Sequence, residues 1–338
     1  MFEESIHSKI SVLIPVYNVE KYVGRCLSSV LNQTMQEGVE VIIVNDCTPD
    51  HSMEVIFEAL CAYSEKDEGE KMSVRVVNHD TNRGQASVRN TAMSYATGDY
   101  VIHVDSDDWI EPDMLEEMYR KAISTGADVV ISDYWESNLQ GEIYKSQPHY
   151  ISSQSCICGF LDESLAGTNG NKLIKRSIYV NNDIQYLEDI NLFEDRICNI
   201  RLFLHVQKIA YVSKAFYHYI QYNNTSITKH ITRKNLNNSV AYLNFIETNL
   251  SSEYQDSVKI SKVKVLCQLL HNSTGALQDE YYRSFKIRLK DVLRCSAISW
   301  HLRVQMIFIA LRIPYVFNLI LKVKRFLRRS SCRFLYDK

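Results

Sequence analysis

Tyr100-Val-Ile-His-Val-Asp105-Ser106-Asp107-Asp108 is the stretch whose reading decides the fold. Its first five residues are mostly apolar and β-branched, and they read as a short buried strand. The run then stops in three carboxylates within four positions. On an extended chain, residues two apart point the same way, so Asp105 and Asp107 are expected to face one site. Two carboxylates side by side repel each other unless a cation lies between them. Hard oxygen ligands of this kind suit Mg2+ or Mn2+, ions that commonly bridge to substrate phosphates. Position agrees with chemistry, because open α/β sheets bind ligands beyond the carboxyl ends of their strands. A second reading of the same place is an acidic turn that caps a helix, with Glu111 as N-cap and Pro112 at the first helical position.

Outward from this stretch, strands and helices alternate. Residues 9–15 form a compact apolar run, the first expected strand, broken by Pro15-Val16-Tyr17-Asn18. Tyr22, Val23, Cys26, Leu27, Val30 and Leu31 then recur at helical spacing. Residues 39–44 read as a second strand ending at Asn45-Asp46-Cys47-Thr48-Pro49-Asp50, followed by a helix over 52–64. A third strand is expected at 74–78, a third helix at 84–96 stopped by Gly98, and a fifth strand at 128–132. This alternation predicts an α/β fold with a doubly wound, mostly parallel sheet. No Gly-x-Gly-x-x-Gly follows the first strand and no P-loop occurs, which excludes the dinucleotide-binding and P-loop classes.

A length of 338 residues allows one large core, or a main domain with an appendage. The net charge of -2 gives no reason to expect a nucleic-acid partner. Nine cysteines are scattered, and Cys156 and Cys158 are too close for a zinc-binding pair. Cys26, Cys61, Cys198 and Cys267 sit at apolar helical positions and read as core filler in a reducing cytosol. Met1-Phe-Glu-Glu has no basic, apolar leader, so no signal peptide is expected. Charge is unevenly spread: residues 301–338 hold nine Lys and Arg against Asp337 alone, which leaves the rest of the chain acidic.

Four blocks occur in order at the expected strand ends: Ile14-Pro-Val-Tyr-Asn18, Val44-Asn-Asp-Cys-Thr-Pro-Asp50, Asn82-Arg-Gly-Gln-Ala-Ser-Val-Arg-Asn90 and Asp105-Ser-Asp-Asp108. Together they resemble the signature blocks of family 2 glycosyltransferases with the GT-A fold, the group that builds bacterial capsules, O-antigens and exopolysaccharides. The likeness runs from about residue 10 to residue 227. It implies an inverting transfer of a sugar from a nucleoside diphosphate, UDP in the first instance, to a hydroxyl of a glycan or lipid-linked glycan. Mn2+ or Mg2+ is the implied cofactor.

The same resemblance assigns roles. Pro15, Val16, Tyr17 and Asn18 would line the uracil site, with Asp46 accepting from the base N–H. The family often has Asp-Asp-Gly-Ser where this chain has Asn45-Asp46-Cys47-Thr48, so Asn45 and Cys47 depart from it. Asn82, Gly84 and Arg89 would lie beneath the diphosphate, Arg89 pairing with Asp105 or a phosphate. Asp105 and Ser106 would serve the nucleotide sugar, Asp105 and Asp107 the metal, and His218 is a further candidate ligand. A catalytic base is implied in a Glu-Asp pair at a helix start, and two pairs occur, Glu188-Asp189 and Glu194-Asp195. Only the second precedes Asn199-Ile-Arg-Leu202, Lys208-Ile-Ala-Tyr-Val212 and Tyr217-His-Tyr219 in the family's register. Asp195 is therefore the expected base, assisted by Glu194. Asn171 and Lys172, in an Asn-Lys-Leu segment, are assigned to the acceptor side with Asp108 and Trp109; residues 223–227 match a terminal Ser-Ile block. Two alternatives stand beside this reading. A sugar-nucleotide pyrophosphorylase would need a Gly-rich basic loop in place of Pro15-Val-Tyr-Asn18. A catalytically inactive glycan-binding scaffold would be favoured by the loss of Asp107 or Asp195, and both are present.

The expected domains are a catalytic domain over 1–229 and a helical region over 230–338. The first divides into a nucleotide half, 1–133, and an acceptor half, 134–229. Residues 302–327 are mostly apolar but interrupted by Arg303, Arg312, Pro314 and Asn318, which argues against a spanning helix. An amphipathic helix held at an anionic membrane surface by the basic cluster fits better, placing the enzyme peripherally on the inner face of a bacterial plasma membrane. A helix packed on the catalytic domain would show the same pattern.

Overall fold

The first strand, β1 (Ile10–Val16), is buried along almost its whole length, as its unbroken apolar sequence requires. In this computed structural model, which describes residues 8–65, 71–190, 192–223, 233–272 and 303–304, β1 lies between two parallel neighbours. These are β2 (Val39–Asn45) and β4 (Tyr100–His103), and β3 (Ser73–Asn78) extends the parallel set beyond β2. The intervening helices are α1 (Val23–Leu31), α2 (Ser52–Ser64) and α3 (Gln85–Tyr95). On α1 the buried residues are Val23, Cys26, Leu27, Val30 and Leu31, the periodic set read from sequence. Each such fully buried side chain contributes about 1.5–3 kcal/mol of apolar burial. Cys26 and Cys198 are buried as expected, whereas Cys61 is exposed on α2.

The carboxylate stretch differs from its sequence reading in one respect. β4 stops at His103; Val104 still donates to the Leu13 carbonyl, and the amide of Asp108 then donates to the carbonyl of Asp105 at 2.9 Å, closing a turn. Asp105, Ser106 and Asp107 therefore lie on a turn rather than on extended chain, and strand alternation does not set their directions. A two-residue strand, β5 (Trp109–Ile110), follows. The next helix, α4 (Met114–Thr125), has Asp113 rather than Glu111 at its N-cap position, without a side-chain capping bond. Gly126 ends it in the left-handed conformation at φ 64°.

The second half of the sheet is less regular than the alternation implies. β6 (Val129–Asn138) continues six residues beyond the expected strand end and forms a hairpin with β7 (Gly141–Lys145). After α5 (Ser153–Asp162) comes β8 (Lys172–Lys175), which inserts antiparallel between β4 and β6. Two helices follow, α6 (Arg176–Asn181) and α7 (Glu194–Phe203), the latter packed on α5 through Phe160 and Phe203 edge to face at 5.0 Å. β9 (Ile209–Ile220) pairs parallel with β6 and antiparallel with β5. The resulting order is β3-β2-β1-β4-β8-β6-β9-β5, with β7 on β6. The carboxyl ends of β1, β2 and β4 share one rim, and the turn of carboxylates sits there.

The chain separates into two compact units, Met1–His230 and Ile231–Lys338. In the second, α8 (Arg233–Asn249) and α9 (Gln255–Asn272) bury Leu243, Ile246, Val258 and Leu266, and the Tyr242 hydroxyl bonds Ser261 at 2.8 Å. Of the expected helical region, residues 273–302 and nearly all of the basic 302–338 segment lie outside the described residues. Among the described residues no helix is long and apolar enough to cross a membrane.

Candidate active site

Two loops from the rim of the sheet are laced together. The amide of Asn18 donates to Thr48 Oγ1 at 2.8 Å, that of Val19 to Ser52 Oγ at 3.0 Å and that of Glu20 to Asp50 Oδ2 at 2.9 Å. Asp50 also accepts from the hydroxyls of Thr48 and Ser52. Burial raises its pKa, but the Ser52 and Thr48 hydroxyls and the surrounding amides outweigh that and hold it at about 2. Asn18 and Cys47 both adopt positive φ, 55° each, at the crowns of these loops. Left-handed backbone explains why the family pattern favours glycine where this chain has Cys47. Within the opening, Tyr17 is exposed while Val16 points into the core.

Asp46 follows the end of β2, and both of its oxygens accept hydrogen bonds. Oδ1 accepts from the amide of Arg83 at 2.9 Å and lies 2.7 Å from His79 Nδ1; Oδ2 accepts from the amide of Gly84 at 2.8 Å. Gly84 reaches Asp46 at φ 88°, a conformation few other residues adopt. Asp46 therefore anchors the turn into α3, with Oδ2 carrying the single bond from Gly84. Its neighbour Asn45, half-buried, bonds Asn78 and Thr48 instead. Asn82 is exposed on the same turn.

Arg89, on α3, organises the centre. Sequence leaves it open whether this residue meets Asp105 or a phosphate; the structure buries it to 1% exposure among three carboxylates. Nη2 donates to Asp105 Oδ1 at 2.8 Å, and Nη1 donates to Glu194 Oε1 at 3.2 Å and to Asp195 Oδ1. One guanidinium thus joins the turn after β4 to the first residues of α7, which lie 105 and 106 residues beyond Arg89 itself. Phe193 precedes that helix at φ 71°, a strained position for an aromatic residue. Burial pushes Asp195 up to about 8 even though Arg89 opposes it, with Glu194 and Asp105 adding to the rise. Glu194 is raised as well, again by burial against the pull of Arg89.

On the other side of the turn, Asp107 is raised first by burial and then by Asp105. Asp107 Oδ2 accepts from Asn223 Nδ2 at 2.8 Å, and Asp105 Oδ1 is held by Arg89, so each retains one oxygen outside these bonds. That donor set fits Mg2+ or Mn2+: two hard oxygens on adjacent carboxylates, one of which burial and its neighbour push toward protonation without a cation. Among the described residues no cluster of three or more ligating side chains completes a closed metal cage. Phosphate oxygens and water would fill the remaining positions.

This constellation can now be set beside known proteins. The model of glycosyl transferase family 2 matches residues 11–182, just over half of the chain. The chain belongs to glycosyl transferase family 2. The glycosyltransferase EpsH of Bacillus subtilis is 30% identical over 302 residues, covering 84% of this chain and 81% of EpsH. A poly(ribitol-phosphate) beta-glucosyltransferase of Bacillus spizizenii is 31% identical over 214 residues, 63% of this chain but 32% of that larger protein. The crystal structure of residues 1–349 of TarS from Staphylococcus aureus with UDP-GlcNAc shares the fold. Its TM-score is 0.67 at 18% identity, covering 94% of this chain and 91% of that chain.

Within this glycosyltransferase several residues assigned from sequence stand elsewhere than expected. Asp108 is buried, with Oδ1 accepting from the Ile220 amide at 2.7 Å and Oδ2 from the Tyr217 hydroxyl at 2.5 Å. It secures β9 beneath the turn and does not face an acceptor. His218 stacks on Trp109 at 3.4 Å between centroids, and its ring nitrogens lie 2.8 and 2.9 Å from Glu142 and Glu111. No ring nitrogen is left for a metal. Trp109 pairs with His218, whose side chain alternates along β9 with Tyr217 and Tyr219, so the indole lies on the sheet face away from the Tyr217–Asp105 contact. Asn171 and Lys172 are fully buried. Lys172 Nζ donates to the carbonyls of Ala166 and Thr168 and to Asn171 Oδ1, and burial lowers its pKa to about 7. The pair shapes the loop before β8 from within instead of meeting an acceptor. Glu188 and Asp189, the rejected pair, lie outside the Arg89 cluster, with Glu188 3.4 Å from Asn90 Nδ2.

Three residues that matter here were given no site role by the sequence. Tyr217 donates to Asp108 and also accepts from the amide of Asp105 at 3.2 Å. Asn169 and Tyr186 join the Glu194–Asp195 side from segments without a recognisable motif. Only the three-dimensional closure of the sheet by β8 and β9 reveals them.

Proposed function

We propose that this glycosyltransferase moves a sugar from a UDP-sugar, with inversion, to a hydroxyl of a glycan or lipid-linked glycan in cell-surface polysaccharide synthesis. The observation behind the reading is the Arg89 clamp, which holds the Asp105 turn and the Glu194–Asp195 pair around one centre. Donor-side and acceptor-side carboxylates are needed together in an inverting transfer, one set for the leaving diphosphate and one to take the acceptor proton. Asp195 is the base, its high pKa suited to proton abstraction near neutral pH, and Glu194 supports the acceptor side. Asp107 with Asp105 would hold Mg2+ or Mn2+, which when bound supplies charge stabilisation to the departing diphosphate. Tyr17 and the backbone of the β1–α1 and β2–α2 loops form the nucleotide side, and Arg89 keeps Asp105 oriented. UDP is favoured because TarS, a relative in fold, is seen with UDP-GlcNAc. The polyol-phosphate glucosyltransferase among the relatives favours a surface polymer as acceptor.

The test is anomeric. Purified enzyme with Mn2+ is offered a set of UDP-sugars, and the product sugar is followed by proton NMR from its first turnover. Release with the opposite anomeric configuration, abolished in Asp195→Asn, supports the reading. Retention, or turnover undiminished in Asp195→Asn, refutes it. The basic segment 302–338 is proposed to bind anionic membrane surface, which would place the enzyme on the cytoplasmic face beside lipid-linked acceptors.

A further inference from the structure

The neighbourhood of Asp195 contains a chain of amides whose polarity is fixed by a backbone carbonyl. Asn199 lies one turn further along α7, is fully buried, and through Nδ2 donates to the carbonyl of Gly167 at 2.9 Å. A carbonyl only accepts, so the Asn199 amide has to present its NH2 group on that side. The same Nδ2 donates to Asn169 Oδ1 at 2.7 Å. With its oxygen committed, Asn169 turns its own NH2 the other way, toward Asp195 Oδ1 at 3.1 Å and the Tyr186 hydroxyl at 2.5 Å. The Tyr186 hydroxyl, accepting from Asn169, lies 3.1 Å from Nε2 of His103 on β4. Asn169, Asn199 and Tyr186 are all at least nine-tenths buried, which makes each misplaced donor costly and the order rigid.

The consequence falls on one oxygen. Asp195 Oδ1 receives both Arg89 Nη1 and Asn169 Nδ2, two donors from different directions. A carboxylate with one oxygen pinned by two donors cannot rotate freely, and its other oxygen is the one left for chemistry. We propose that Asn169 is a positioning residue for the transfer: it pins Asp195 through Oδ1, selects Oδ2 as the oxygen that takes the acceptor proton, and takes its own orientation from Asn199 and the Gly167 carbonyl. Tyr186 and His103 fill the second Asn169 N–H and are subsidiary. This inference rests on Asp195 being the base.

Four variants of the full chain separate the possibilities: Asn169→Asp, Asn199→Asp, Tyr186→Phe and Asp195→Asn. Asn199→Asp never touches Asp195, yet it puts an acceptor where Asn169 needs a donor. The Asn169 amide then turns over and presents its oxygen to Asp195. Two readouts are used. One is steady-state hydrolysis with Mn2+ of whichever of UDP-glucose and UDP-N-acetylglucosamine the wild type turns over. The other, independent of turnover, is the crystal structure of each variant, read for the Asp195 carboxylate torsion. The expected result is a fall in kcat of about 100-fold in both Asn169→Asp and Asn199→Asp, the scale of a misplaced catalytic group. Donor KM should stay within about twofold, and the Asp195 carboxylate should be rotated in both crystal structures. Tyr186→Phe should remain within about fivefold, since Asn199 still orients Asn169. A purely structural role for Asn169 predicts instead wild-type kcat in Asn199→Asp and an unmoved Asp195, and either finding overturns the proposal. Wild-type turnover in Asp195→Asn would overturn the assignment of the base, an outcome distinct from failure of the positioning chain.

Discussion

Arg89 is the residue on which the site depends, because three carboxylates from two distant segments share its one buried charge. Removing one partner of a buried ion pair leaves the others uncompensated, at about 3–5 kcal/mol. Arg89→Met should therefore lower stability by that order at pH 8 in urea unfolding, and by clearly less at pH 5, where the stranded carboxylates protonate. Asp195 predicts the opposite sign. Its folded pKa of about 8 lies above the unfolded value near 4, so the unfolded chain ionises first as pH rises. Its contribution is most favourable at low pH and is lost between about pH 4 and pH 8. Asp195→Asn, which mimics the protonated acid, should unfold at an equal or higher temperature than wild type at pH 7 while losing turnover, a trade of stability for function. In the wild type, kcat/KM should rise with pH up to about 8 as Asp195, the proposed base, ionises. At this scale the sequence was informative about identity and poor about surroundings. The carboxylates and Arg89 stand out in their blocks, but that Asp46 holds the amides of Arg83 and Gly84, or that Lys172 points inward, follows from contacts across the fold.

Among the elements, the parallel strands and their helices were legible because local pattern and burial agree: apolar runs became β1, β2 and β4, and spaced apolar residues became α1. β8 and the extension of β6 were not, since a four-residue antiparallel insertion is specified by its neighbours more than by itself. The turn before β8 shows how tightly that insertion is fitted. A Cβ on Gly170 would lie 2.3 Å from the ring of Tyr217, the side chain that holds Asp105 and Asp108. Gly170→Ala should displace Tyr217 and lower stability by about 1–3 kcal/mol, the usual cost of overpacking, with weaker UDP binding beside it; an unchanged melting temperature would show that the ring has room to move. The laced loops give a pH signature of their own. Asp50, held near 2, stabilises the fold above the unfolded carboxylate pKa, and that contribution is lost as pH falls through about 2. Asp50→Asn should therefore bring the acid-unfolding curve closer to that of a protein lacking this contribution, and loosen the nucleotide loops at neutral pH.

For the whole molecule, the acidic body and the basic 302–338 segment form the plainest asymmetry. Protein truncated after Ile298 should sediment with anionic vesicles less than the intact chain does, most clearly at low salt; equal sedimentation would remove the membrane proposal. The first half of the fold was readable because strands and helices alternate from β1 to β6, and the family blocks fall at its strand ends. The active site was readable only in part. The turn after β4 is built from a short motif, whereas the Glu194–Asp195 pair is brought to it by long-range bonds from Arg89. The most direct measurement is calorimetric titration of UDP into the intact protein with Mn2+, repeated with EDTA and in Asp107→Ala. Binding that requires the ion and is lost in the variant is the predicted result, placing nucleotide and metal together at the turn after β4. Binding of equal strength with EDTA, or in Asp107→Ala, would contradict it.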